Sequence, residues 1–315
     1  IENKFSTFRA ELGGKTVTDN VLETLLKTST DSGQLEAAWR SSKAIGAAVA
    51  EDVRRLARLR NEAARQLGFA DYHVMALALG EQDQADMDKL FDELDRMTGE
   101  AFLQAKAEMD EVLAKRCGIP KDQLMPWHYQ NRFFQEAPRI YNVDLDKYYK
   151  DKDIVAIGKL YYQGIGLPIN DIVKRSDLFE KPGKYQHAYC TDIDRSGDVR
   201  IVCNIQPTQQ WMDTLLHESG HAVYDKWNDP KLPWLLREPA HTFTTEAIAM
   251  MFGRLASNPL WLEEMVGVPT NEAKRIEREC ARTLRLEQLV FSRWTQVMYR
   301  FERGLYENPD QDLNA

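Results

Sequence analysis

The sequence predicts a mainly α-helical protein interrupted by one β-hairpin. Three observations predict it. Long apolar stripes recur at spacings of three and four. A single pair of β-prone runs flanks a glycine-containing turn between residues 185 and 205. Apolar residues make up 43% of the 315, with 7 Trp, 12 Phe and 12 Tyr, which suits a packed core and not a disordered chain. Interspersed charges summing to −8 leave no basic stripe for nucleic acid. No apolar run approaches the roughly 18 residues of a membrane span, and no signal peptide is visible. The length suits one large domain or two lobes. The compartment stays open between periplasmic or secreted and cytoplasmic.

Taken in order, residues 1–182 read as helix after helix. Leu35, Trp39, Val49, Val53, Leu56, Leu59, Ala63 and Leu67 form one stripe, ending at Gly68. Met87, Leu90, Phe91, Leu94, Met97, Ala101 and Ala105 form a second, ending around Cys117-Gly118. Asp144 to Tyr162 is a third helical stretch, closed by Gly164-Ile165-Gly166-Leu167-Pro168. The hairpin then runs from Tyr185 through the turn Asp194-Arg195-Ser196-Gly197-Asp198 to Cys203. It is either a small structural sheet or an edge to which an extended peptide adds. Cys190 and Cys203 stand about equally far from the turn and could face each other as a disulfide, while Cys117 and Cys280 read as isolated thiols. A last helix carries Ile276, Cys280, Leu284, Phe291, Trp294, Met298, Phe301 and Leu305 on one stripe. Glu287 interrupts it, either paired with an arginine or reaching into a cleft.

Between hairpin and last helix lies the chemistry. Pro207-Thr208 opens a helix with apolar Trp211, Leu215, Leu216, Val223 and Trp227. Inside it stands His217-Glu218-Ser219-Gly220-His221. Histidines four apart share one helix face, where two imidazoles can bind one zinc ion with Glu218 as general base on a metal-activated water. The plainer reading is two half-buried histidines on a helix. After a break at Asn228-Asp229-Pro230, a second apolar helix begins near Thr242 and carries Glu246, 25 residues after His221. A carboxylate in so apolar a helix needs a partner: the metal, as third ligand, or Arg237.

These residues resemble the helical zinc peptidases that include angiotensin-converting enzyme and its bacterial peptidyl-dipeptidase relatives, and more distantly thimet oligopeptidase and neurolysin. The resemblance runs from about Leu35 to Tyr306. It is carried by Asn61-Glu62-Ala63-Ala64-Arg65-Gln66-Leu67-Gly68-Phe69, Gly164 to Pro168, Lys181-Pro182-Gly183, His187-Ala188, Leu236-Arg237-Glu238 and Glu246-Ala247-Ile248 around the zinc motif. It implies two mainly helical lobes around a deep channel, with the hairpin beside the metal. The parts would be a helical lobe over 1–182, a substrate-strand hairpin over 183–206, and zinc-binding helices with the C-terminal helix over 207–315. One zinc per chain would be held by His217, His221 and Glu246, with Glu218 catalytic. His187, Ala188 and Cys190 would align the backbone of short peptide substrates. Gln135, in Phe133-Phe134-Gln135, would hold a substrate carboxylate. His128, before it, is equally a capping or surface histidine. The implied activity is release of C-terminal dipeptides, with an endo-acting oligopeptidase or a zinc-bearing peptide-binding scaffold as alternatives. The family's aspartate four residues after the zinc glutamate is replaced by Met250. Its oxyanion-stabilising tyrosine and histidine fall beyond this chain, and its N-terminal helices have no counterpart, so the expectation is a fragment of a longer enzyme.

Overall fold

The expected stripes form helices, and each stops where its sequence provides a stop. The structure is a computed structural model that describes residues 1–181, 184–185, 187–239 and 241–313. Pro182, Gly183 and Gln186, which enter the resemblance and the hairpin, lie outside the described residues. The protein is 66% helical, and the mainly α expectation holds. The chain divides into two compact units, Ile1–Tyr141 with Arg285–Ala315, and Asn142–Leu284.

The first unit holds α1 (Glu2–Thr7), β1 (Ala10–Leu12), β2 (Lys15–Val17), α2 (Asp19–Thr28), α3 (Ser32–Gln66), α4 (Tyr72–Leu79) and α5 (Gln84–Cys117). Asp31 and Asp83 accept backbone N–H groups at the starts of α3 and α5. Gly118 closes α5 in the left-handed region, at φ 65°. The β1–β2 hairpin corrects the reading of 1–182 as helix alone. Gly13 and Gly14 take φ 59° and 74°, the pair of left-handed conformations that a two-residue hairpin turn requires. The buried face of α3 also differs from the stripe: Ala57, Asn61 and Ala64 are buried while Leu59 and Leu67 are exposed. In α5 only the second half meets the core, through Ala105, Met109 and Leu113 against Tyr129, Leu286, Leu289 and Val290. A 34-residue helix spans about 51 Å and outruns that core. Its first half is held instead by ion pairs, Arg300–Asp92 at 2.8 Å, Arg303–Asp88 at 2.6 Å and Arg293–Asp95.

The second unit holds α6 (Asp146–Tyr149), α7 (Ile154–Gly164), α8 (Asn170–Arg175), β3 (Tyr189–Asp192), β4 (Val199–Val202), α9 (Gln209–Lys226), α10 (Thr242–Gly253) and α11 (Pro259–Trp261). α12 (Thr270–Glu307) begins in this unit and ends in the first. The helical stretch expected from Asp144 to Tyr162 is made of two helices, because Asp153 caps a fresh start by accepting the Ala156 N–H at 2.9 Å. In α12, Glu287 is exposed and does not interrupt the buried face, which runs through Leu286, Leu289 and Val290.

This unit is built around α9, where Met212, Leu215, Leu216 and Ala222 are fully buried. The β3–β4 register pairs Cys190 with Ile201. Cys203 lies past the end of β4, a diagonal neighbour at best, and all four cysteines are free, so the facing-cysteine disulfide is corrected. The outer edge of β4 is covered by the segment around Asp177 and Leu178, which exchanges backbone bonds with Ile201, Cys203 and Ile205. The buried Lys184 ammonium fastens that segment, donating to the Asp177 carbonyl at 2.9 Å, the Asp177 carboxylate at 3.0 Å, the Phe179 carbonyl at 2.8 Å and the Cys203 carbonyl.

Candidate metal centre

α9 starts as expected, with Thr208 accepting the Trp211 N–H at 3.2 Å. Four residues per step then set His217 and His221 on one face, their Nε2 atoms 3.2 Å apart. α10 crosses close enough for Glu246 to reach both. Its Oε2 is 3.5 Å from the His217 Nε2 and its Oε1 is 3.6 Å from the His221 Nε2. That approach depends on two glycines. A Cβ on Gly220 would stand 2.9 Å from the Ala249 Cα, and one on Gly253 would stand 2.9 Å from an Asp213 carboxylate oxygen. Arg237, the other partner considered for Glu246, donates instead to the Leu232 and Arg195 carbonyls and the Ser196 hydroxyl.

One ligand atom each of His217, His221 and Glu246 lies within 4.8 Å of the others. Two imidazoles and a carboxylate are a donor set that zinc accepts, with room for a fourth ligand. The residues fit the ion. The electrostatics fit a cation too. Burial disfavours charge on His217 and lowers its pKa. Burial opposes charge on His221 as well, but Glu246, Glu218 and Asp225 outweigh it and raise the pKa. His221, and less strongly His217, hold Glu246 below the usual carboxylate range.

Glu218, one step round α9, is buried and its carboxyl is pushed up to about 7 by desolvation. It accepts the backbone N–H of Cys190, so the carboxyl beside the histidines is seated on β3. Ala188 and Cys190 are half-buried against the core; His187 is exposed, its ring 5.9 Å from that of Tyr185. Gln135 belongs to the first unit, in an exposed turn where Asn131 accepts its backbone N–H at 3.2 Å. His128 is buried and is a cap. Its Nδ1 accepts the Met125 N–H at 2.8 Å, so Nε2 carries the proton and donates to the Ser32 hydroxyl at 2.6 Å.

The loop joining α9 to α10 is fastened to the hairpin turn. The Trp234 Nε1 donates to the Asp194 carbonyl at 3.1 Å, Arg237 to the Arg195 carbonyl at 3.4 Å, and Arg195 to Glu238 at 2.5 Å while stacking 4.2 Å over Trp234. Two carboxylates not anticipated from the sequence flank the histidines along α9: Asp213 and Asp225. The signal was present, since Asp213, His217, His221 and Asp225 are each four apart.

A family model described as angiotensin-converting enzyme matches residues 11–301. The chain belongs to that family. A search of curated proteins finds no match. Membership of the angiotensin-converting enzyme family makes this a metallopeptidase fold, and zinc is the metal of the family. Among the described residues, His217, His221 and Glu246 are the one group of three that could hold it.

Proposed function

We propose that this chain is a zinc metallopeptidase that hydrolyses short peptides and releases C-terminal dipeptides. The observation that carries the reading is the convergence of His217, His221 and Glu246 with Glu218 alongside. Zinc, when bound, supplies a Lewis acid that makes water a nucleophile near neutral pH. His217 and His221 would hold it, and Glu246 would neutralise one of its charges. Glu218 takes a proton from the attacking water and delivers it to the leaving amine. A carboxyl whose pKa lies near the working pH does both. β3 aligns the peptide backbone. Because the Cys190 N–H is given to Glu218, the Cys190 carbonyl and the main chain of Ala188 are left for the substrate. His187 flanks them.

The test is elemental analysis of zinc per chain for the wild type and Glu246→Ala. About one zinc, largely lost in the variant, is expected; a wild type without zinc sinks the reading. Comparing a free-acid peptide with its C-terminal amide then tests the dipeptide release, which the amide should abolish. Equal cleavage of the two identifies an endopeptidase.

A further inference from the structure

The two Nε2 atoms and Glu246 converge on one point, which turns the other nitrogen, Nδ1, of each ring away from it. A histidine that ligates through Nε2 carries its proton on Nδ1, and the acceptor of that proton sets the ring's orientation and basicity. Among the described residues the His221 Nδ1 has no such acceptor. One turn further along α9 stands Asp225, and the complementary fact holds there. Its carboxylate makes no hydrogen bond or ion pair among the described residues, although it is half-buried and faces Asp192 and Glu238.

Nothing local explains an aspartate at this point. It lies in the last turn of α9 (Gln209–Lys226), where the helix dipole disfavours an anion. Its charged neighbours, apart from His221, are acids, and burial disfavours its charge. Three unfavourable conditions converge on one side chain. Side chains on a helix lean back over the preceding turn, and the preceding turn carries His221.

We propose that Asp225 is the positioning residue of the His221 ligand: it accepts the Nδ1–H and holds Nε2 toward the metal. The proposal rests on the zinc reading of this site. A ligated imidazole is a strong donor, so metal binding supplies the partner that Asp225 lacks. The carboxylate in turn makes His221 the better ligand.

The test is zinc affinity by chelator competition on the full chain for wild type, Asp225→Asn, Asp225→Ala and Asp225→Glu. The metal-free melting temperature is measured for each, and the visible spectrum of each cobalt-substituted protein is recorded. Loss of a partner of this kind typically weakens metal binding about 10–100-fold. That loss is expected for Asn and Ala, with a shifted cobalt spectrum, with Glu restoring most of the affinity, and without a fall in the metal-free melting temperature of Asp225→Asn. Zinc affinity of Asp225→Asn within about twofold of wild type overturns the proposal while leaving the zinc reading intact. A loss that Glu does not restore, or that tracks a lower melting temperature in every variant, overturns it as well. A wild type that binds no zinc ends both.

Discussion

Glu218 separates binding from chemistry at the level of single atoms. It bonds to β3 and is not one of the three grouped ligand residues, so Glu218→Gln should keep zinc stoichiometry near wild type. The same change should lower peptide turnover by about 10²–10⁴-fold, the usual loss for a general base. Zinc analysis beside a single-turnover assay checks both halves, and loss of zinc in the variant would count against the role. At this scale the sequence was informative where chemistry forces spacing. A four-residue step from one histidine to the next and an acid in an apolar helix pointed to His217, His221 and Glu246, which the structure brings together. Asp225 went unread because an exposed-looking acid near a helix end is ordinary until its neighbours are known to be Asp192 and Glu238. Met250, which stands where the resemblance would place an aspartate four residues after Glu246, is 42% exposed. His128 was ambiguous for the same reason: only the fold shows Ser32 against it.

Packing between elements sets the distances. α10 lies against Gly220 with no room for a methyl group. Gly220→Ala should therefore destabilise by about 1–3 kcal/mol, the cost of overpacking a tight core, and weaken zinc binding by displacing Glu246. Denaturant melts of the metal-free protein and zinc titrations measure the two effects. A variant as stable as wild type with unchanged zinc affinity would show that the helices have slack. Lys184 is the second test. Its ammonium satisfies three carbonyls and a carboxylate around the hairpin root, and a methionine there would leave buried acceptors unsatisfied. Lys184→Met should cost roughly 3 kcal/mol, read as a lower denaturation midpoint. Helix existence was legible from periodicity, but the buried face was not. α3 presents Ala57, Asn61 and Ala64 inward because small residues let neighbours approach, and a count of large apolar residues points elsewhere. The β1–β2 turn rests on a Gly13-Gly14 pair that carries no periodicity at all.

For the whole molecule, metal and fold are linked. A ligand that binds only the native state stabilises it by about 2.7 kcal/mol at one hundred times its dissociation constant. Zinc should therefore raise the melting temperature of the wild type, and a chelator should lower it. Glu246→Ala should be insensitive to both. Ligating histidines must be neutral, and His221 holds its proton more tightly than usual, so zinc binding should release protons near neutral pH. Calorimetry in buffers of differing ionisation enthalpy would show the release, and its absence would mean that His221 is not a ligand. Fold class followed from composition and periodicity, and family from the motif with its surroundings. The division at Tyr141 and Leu284 was not legible, since α12 runs through it without a break.

The fastening of the α9–α10 loop to the hairpin turn has a kinetic side. Glu246 is tethered to the histidines by a chain that Trp234 and Arg237 pin at its middle. Halving a flexible tether lowers its closure entropy by about 0.6 kcal/mol, so the pin raises the local concentration of the third donor around the first two. Moving α10 and its carboxylate away from the histidine pair would also strain the loop's bonds to the hairpin turn.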